Sequence, residues 1–216
     1  TLEAKKIHFS FGSTPILHNL SLRIPENKIS IILGPNGSGK STLLKILARL
    51  YKPSCGTVLL NNKDVDEISS KEIAKMLSLM VQSPTIPENI KVRDLIFFGR
   101  HPYQGPFSRN SQKDIEAVER ALTITNLNGL ESRFLHELSG GQRQRAWLAM
   151  AISQETDILL LDEPTTYLDL HYQFEILDLL RKLNKKKKTT IVMVLHDLNL
   201  ASLYADHLFI LNEGRI

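Results

Sequence analysis

The segment Gly34-Pro35-Asn36-Gly37-Ser38-Gly39-Lys40-Ser41-Thr42 fits G-x-x-x-x-G-K-[ST] in full. It follows the continuous apolar run ISIIL (29–33) and precedes a helix-like stretch from about Ser41 to Leu50. A glycine-rich turn between a buried strand and a helix lets successive backbone N–H groups wrap a phosphate, and the helix N-terminus adds its dipole. In that arrangement Lys40 reaches the β- and γ-phosphates, and the Ser41 hydroxyl suits Mg²⁺. These residues therefore point to a nucleoside triphosphate site.

Other residues gain meaning beside that loop. Asp162-Glu163 closes a second apolar run, ILLLD, and strand ends of this kind face the crevice where α/β sheets bind ligands. Asp162 suits Mg²⁺ through a bound water, and Glu163 suits the attacking water as its base. Alone, an Asp-Glu pair after a strand is an ordinary turn with helix capping. His196 follows the run IVMVL and falls on the same edge, where it can hydrogen-bond a γ-phosphate oxygen. Gln82 ends LSLMV on that edge too, within reach of Mg²⁺ or the water. A second glycine-containing helix start stands at Ser139-Gly140-Gly141-Gln142. A capping box explains Ser139 and Gln142 but not the glycines; an anion approaching bare N–H groups explains all four.

The elements that must position these groups alternate between strand and helix. IHFSF (7–11) and LSLRI (20–24) read as antiparallel strands, and TVLLN (57–61) and LSLMV (77–81) as further strands around the helical SSKEIAKM. From Ser83 to Glu137 no strand pattern appears, and DIEAVERALTIT is helical; this reads as an inserted helical segment. Alternation resumes with helix 141–153, strand 157–162, helix 171–184, strand 190–195, helix 197–204 and strand 207–211. Phe174, Leu177, Leu180 and Leu183 form a core-facing stripe. The expectation is an α/β fold with a mostly parallel sheet, an antiparallel β portion near the N-terminus and the helical insertion.

Composition narrows the setting. The 216 residues are 42% hydrophobic and 23% charged, and no apolar run is long enough to span a bilayer. One cysteine, Cys55, rules out an internal disulfide framework and fits a reducing compartment. The net charge of +4 is concentrated in Lys185 to Lys188, expected between a helix and a strand as a solvated helix end. No aromatics interleave with it, so a nucleic-acid groove is not indicated.

The chain strongly resembles the ATPases of ABC transporters along essentially its whole length. GPNGSGKST resembles the Walker A loop, Gln82 the Q-loop, LSGGQ (138–142) the signature, and ILLLDE (158–163) Walker B. Leu168-Asp169 resemble the end of the D-loop, His196 the switch histidine, and Phe11 the adenine-stacking aromatic. The resemblance implies a P-loop ATPase with a core formed by 1–82 and 138–216 and a helical subdomain at 83–137. It implies ATP and Mg²⁺, and a head-to-tail homodimer in which Ser139–Gln142 and Asp169 of one copy complete the other's site. It also implies docking on separate membrane permease subunits at the cytoplasmic face, with a substrate-binding protein as an indirect partner.

Two stretches narrow the resemblance. Thr165-Thr166-Tyr167-Leu168-Asp169 stands where many relatives read S-A-L-D, and GRHPYQGPF (99–107) lies in the insertion. Both resemble importer ATPases for iron–siderophore, haem and cobalamin uptake. Such ATPases continue for some tens of residues beyond the equivalent of Ile216, so a continuation is expected. A nucleic-acid ABC ATPase is expected to carry a long coiled coil, where this chain has about 55 residues between Gln82 and Leu138. A translation-associated ABC factor needs two cassettes, and an amino-acid or lipoprotein transporter ATPase is expected to lack TTYLD and GRHPYQG.

Overall fold

A computed structural model describes residues 1–82, 89–105 and 110–216. Strands β1 (Leu2–Phe11) and β2 (Thr14–Ile24) form an antiparallel hairpin. With β4 (Cys55–Leu60) and β5 (Lys63–Asp64) they make a four-stranded sheet in the order β2-β1-β4-β5. The second sheet contains β3 (Ile29–Leu33), β6 (Leu77–Met80), β7 (Ile158–Asp162), β8 (Thr190–Val194) and β9 (His207–Ile210). Its order is β6-β7-β8-β3-β9, and each neighbouring pair is parallel.

The unbroken apolar runs are explained by burial on both faces of this parallel sheet. Ile29, Ile31, Leu159, Leu161, Ile191 and Met193 enter one core, while Ile32, Ile158, Leu160, Val192 and Val194 enter the other. The second core is shared with the antiparallel sheet and helix α1 (Lys40–Leu47). Helix α1 stops earlier than the sequence pattern suggests, because Arg49 turns into the left-handed region. Helix α2 (Ser70–Met76) begins on a full capping box made by Ser69 and Glu72.

The first core also takes in the helical segment. Helices α3 (Val92–Phe98) and α4 (Gln112–Ile124) supply Val92, Leu95, Ile96, Val118 and Leu122. They pack on α5 (Gly140–Ser153), whose Trp147, Leu148 and Ile152 belong to the same cluster. The described part of 83–137 therefore shares its core with one face of the parallel sheet. Helix α6 (Leu170–Lys187) adds Ile176, Leu177, Leu180 and Leu183; Phe174 of the expected stripe is partly buried at the edge. Helix α7 (Leu198–Tyr204) completes that side. The lysine run is the solvated helix end expected, with the helix reaching further than 184: Lys185–Lys187 form the last turn of α6, and Lys188 caps it with φ 59°. Positive charge at a helix C-terminus is favourable, so the run extends the helix.

The start of the GRHPYQG stretch has an internal task. A side chain at Gly99 would meet the Met150 carbonyl oxygen at 2.2 Å and Ser153 Oγ at 2.3 Å, so glycine lets α3 close on α5. The buried Arg100 donates from Nε to Asp114 (2.9 Å) and from an η nitrogen to the Ser153 carbonyl (2.6 Å), with its guanidinium 4.1 Å from the Tyr103 ring centroid. Pro106 and Phe107, at the end of the stretch, lie outside the described residues.

Burial, the largest influence on Asp114, pushes its carboxyl up, but hydrogen bonds from Ser111 and Arg100 and the Arg100 charge together hold it below its ordinary value. Asp114→Ala should leave the buried Arg100 with the longer Glu155 contact (3.3 Å) as its ion pair among the described residues and destabilise the fold by roughly 2 kcal/mol in urea denaturation. Arg100→Met combined with Asp114→Leu should recover part of that loss. Because the folded carboxyl titrates below its unfolded value, its stabilisation is complete above the unfolded value and lost as pH falls through the folded one. The gap between wild type and Asp114→Asn should therefore close below about pH 4.

Candidate functional site

Parallel strands end side by side, and this register gathers the predicted residues at one edge. Gly34 follows β3, Gln82 follows β6, Asp162 ends β7 and His196 follows β8. Beside them opens a cleft of about 530 Å³ lined by Asn36, Gly37, Gly39, Lys40, Ser41, Thr42, Gln82, Glu163 and His196. Ile16, Thr166 and Tyr167 complete its wall.

The glycine loop has the geometry its composition predicts. Gly34 takes φ 155°, and a Cβ there would stand 2.0 Å from the Leu211 carbonyl oxygen. Gly37 takes φ 79° beside open space, leaving its backbone approachable. Gly39 caps α1 in the left-handed conformation without a side-chain cap, so the first-turn N–H groups are available to an anion. The Ser38 hydroxyl is buried and has no hydrogen-bond partner among the described residues. Lys40 folds back, donating from Nζ to the carbonyls of Gly34 and Pro35 at 2.8 Å each. Burial lowers its ammonium pKa, opposed by the Glu163 and Asp162 charges. An entering phosphate offers this cation a stronger acceptor than two carbonyls.

Ser41 Oγ donates to Asp162 Oδ1 at 2.8 Å. Burial raises the Asp162 pKa; the Ser41 hydrogen bond opposes this and the Glu163 charge adds to it. A divalent cation would relieve that cost. No cluster of three or more His, Cys, Asp or Glu side chains suited to a metal exists among the described residues. The Ser41–Asp162 pair nevertheless fits Mg²⁺, which takes one or two protein ligands and draws the rest from phosphate and water.

Glu163 is only 8% exposed and turns the chain at φ 52°, a strained value for a non-glycine residue. Its Oε1 meets His196 Nε2 at 2.6 Å, while Oε2 accepts from Gln82 Nε2 at 2.5 Å and from Thr166 Oγ1 at 2.8 Å. Sequence reasoning selected Gln82 and His196 but gave Thr166 no role. The signal available was a hydroxyl three residues beyond the carboxylate, spaced to close a turn. Tyr167 was also passed over; it is 90% exposed with φ 64° on the cleft rim.

Three expected groups lie outside the cleft wall of the single chain. Phe11 is half exposed and meets Phe9 and Tyr51 edge-on, with centroids 4.9 and 5.6 Å away. Asp169 caps α6, accepting from the Tyr172 N–H at 3.2 Å. Ser139 and Gln142 form the capping box of α5: the Ser139 N–H donates to Gln142 Oε1 at 3.0 Å, and Ser139 Oγ accepts from the Gln142 N–H at 3.3 Å. The two glycines differ. A Cβ on Gly140 would meet nothing within 4 Å, whereas one on Gly141 would press on the Tyr172 ring at 3.3 Å. Internal packing accounts for Gly141, and only Gly140 presents open backbone.

Comparison with known proteins agrees with this arrangement. The family model described as ABC transporter matches residues 17–166. The petrobactin import ATP-binding protein FpuD of Bacillus anthracis is 49% identical over 215 residues, covering 100% of this chain and 79% of the relative. The probable siderophore transport system ATP-binding protein YusV of Bacillus subtilis (strain 168) is 51% identical, covering 100% and 78%. Among solved structures, the dimeric post-hydrolysis state of the ATP-binding cassette MJ0796 bound to ADP and Pi superposes with a TM-score of 0.85 at 29% identity, covering 100% of this chain and 96% of that one. The family model takes in both the glycine loop and the strand-end carboxylates, and the relatives align along the whole chain: the chain belongs to the ABC transporter family.

Proposed function

We propose that this chain is the ATP-hydrolysing subunit of an importer for iron–siderophore complexes, working as a pair of copies on separate membrane permeases. The observation that carries the ATPase chemistry is the convergence of Gln82 and His196 on Glu163, beside Lys40 and the Ser41–Asp162 pair. FpuD and YusV, which are named for petrobactin import and siderophore transport, support the cargo class.

In this reading the N–H groups of Gly34–Thr42 and the Lys40 ammonium hold the phosphates of ATP, and Phe11 stacks on adenine. Ser41 and Asp162, with Gln82, would hold Mg²⁺, which would supply positive charge to the phosphates. Lys40 leaves the Gly34 and Pro35 carbonyls for phosphate as the nucleotide enters. Glu163 orients the attacking water and accepts its proton; His196 turns from Glu163 toward the γ-phosphate and stabilises charge as the P–O bond breaks. Ser139, Gly140, Gly141 and Gln142 close over the ATP of a second copy, with Asp169 beside them. The open backbone at Gly140 supports this, since none of the described residues of its own chain comes within 4 Å of where its side chain would stand. Two identical composite sites follow from a twofold pair.

No helix among the described residues is long and apolar enough to cross a membrane, so translocation requires permease partners. Their docking surface lies within 90–107, where the exposed Phe98 stacks edge-on against His101 at 5.0 Å. Peripheral attachment at the cytoplasmic membrane face follows from that docking. The extracellular capture protein acts only through the permease.

Glu163→Gln should bind ATP normally, lose roughly 10²–10⁴-fold in turnover, and elute as an ATP-dependent dimer in size-exclusion chromatography. Wild-type turnover in this variant would remove Glu163 from the mechanism. Gly140→Val, which the single chain has room for, should abolish hydrolysis while leaving ATP binding by the monomer intact, as read by isothermal titration. Primary loss of monomer binding would contradict completion of the site by a partner. Phe98→Asp should reduce co-purification with the permease without changing nucleotide affinity; unchanged co-purification and transport would move the docking surface elsewhere.

A further inference from the structure

We infer that Thr166 is a positioning residue for Glu163: its hydroxyl occupies one carboxylate oxygen and leaves the other to face the attacking water. The inference rests on the reading of Glu163 as the group that orients that water.

A carboxylate oxygen offers about two acceptor sites. Among the described residues, Oε2 of Glu163 has both filled, by Gln82 Nε2 and Thr166 Oγ1, whereas Oε1 carries His196 Nε2 and retains one. The three donors differ in how they are attached. Gln82 and His196 reach Glu163 from the ends of other strands, β6 and β8. Thr166 belongs to the same turn, and its own N–H donates to the Glu163 carbonyl at 3.3 Å. Pro164 stiffens that turn. Side-chain amides from two helices pin its backbone: Gln144 of α5 donates to the Pro164 carbonyl at 2.7 Å, and Gln173 of α6 to the Leu168 carbonyl at 2.8 Å.

Thr166 consequently travels with Glu163. When Gln82 and His196 turn to metal and phosphate, the Thr166 bond persists and becomes the sole fixed constraint on carboxylate rotation. A serine or threonine hydroxyl in a turn commonly bonds to nearby backbone. Here it goes to a buried charged oxygen on the cleft wall. Rotation about the last side-chain bond of a glutamate is broad, so an unheld carboxylate spends less time presenting Oε1.

The test is steady-state ATP hydrolysis by the full-length protein assembled with its permease, alongside nucleotide binding and thermal melting. Thr166→Val keeps the shape and removes the hydroxyl. Its kcat should fall roughly tenfold, the worth of one hydrogen bond to a charged group, with KM for ATP unchanged and the melting temperature lowered by only a few degrees. Thr166→Ser should restore most of the rate, and Thr166→Val should cost nothing further in a Glu163→Gln background. Thr166→Ala serves the same comparison if the valine variant melts early. Wild-type kcat in the valine and alanine variants overturns the inference, as does equal impairment in the serine variant or a full additional loss in the Glu163→Gln background. If Glu163→Gln alone keeps wild-type turnover, the underlying reading fails instead.

Discussion

A carboxylate as enclosed as Glu163 costs several kcal/mol to bury unless its oxygens are supplied with donors. Its donors come from three places: the turn that carries it, the end of β6 and the end of β8. They meet only if β6, β7 and β8 are adjacent, parallel and in register, as Leu161↔Met193 and Met80↔Leu161 record. The arrangement is sensitive because a slip of one residue would exchange the two buried faces and turn every strand-end side chain away. The packing of the two apolar faces of the sheet into separate cores therefore also sets where the polar groups converge.

Opposite charges, those of Lys40 and Asp162, lie buried at the strand ends beside the cleft. Lys40 is buried against carbonyls, and Asp162 is buried against a hydroxyl. Each carries a desolvation cost opposed only in part by its neighbours. A phosphate would offer the first a stronger acceptor, and a divalent cation would offset the second. The helical segment is joined to this machinery through shared packing: α5 carries the Ser139–Gln142 cap at its start and the Gly99–Arg100 contacts at its end.

Much of this was legible in residue order. ISIIL, ILLLD and TIVMV announce buried parallel strands because both faces of each are apolar. GPNGSGKST announces its turn because only glycine adopts those angles without cost. The Ser69–Glu72 and Ser139–Gln142 capping boxes lie within three residues and obey local rules. Less legible was the end of α6, since lysine favours helix and the run joins the helix instead of leaving it. Less legible too was the packing demand at Gly141, which comes from the Tyr172 ring, a contact between two helices about thirty residues apart.

Local chemistry in the sequence by itself determined the strands, the phosphate loop, the caps and the identity of the polar groups at the strand ends, because each depends on neighbours within a few positions. Tertiary structure alone decided that Gln82, Thr166 and His196 share the Glu163 carboxylate, that Gly99 and Arg100 serve packing, and that Gly140 stays open while Gly141 does not. Those facts depend on strand register and helix approach over tens of residues. Such distances are set by how two hydrophobic cores fill space, which no spacing along the chain encodes.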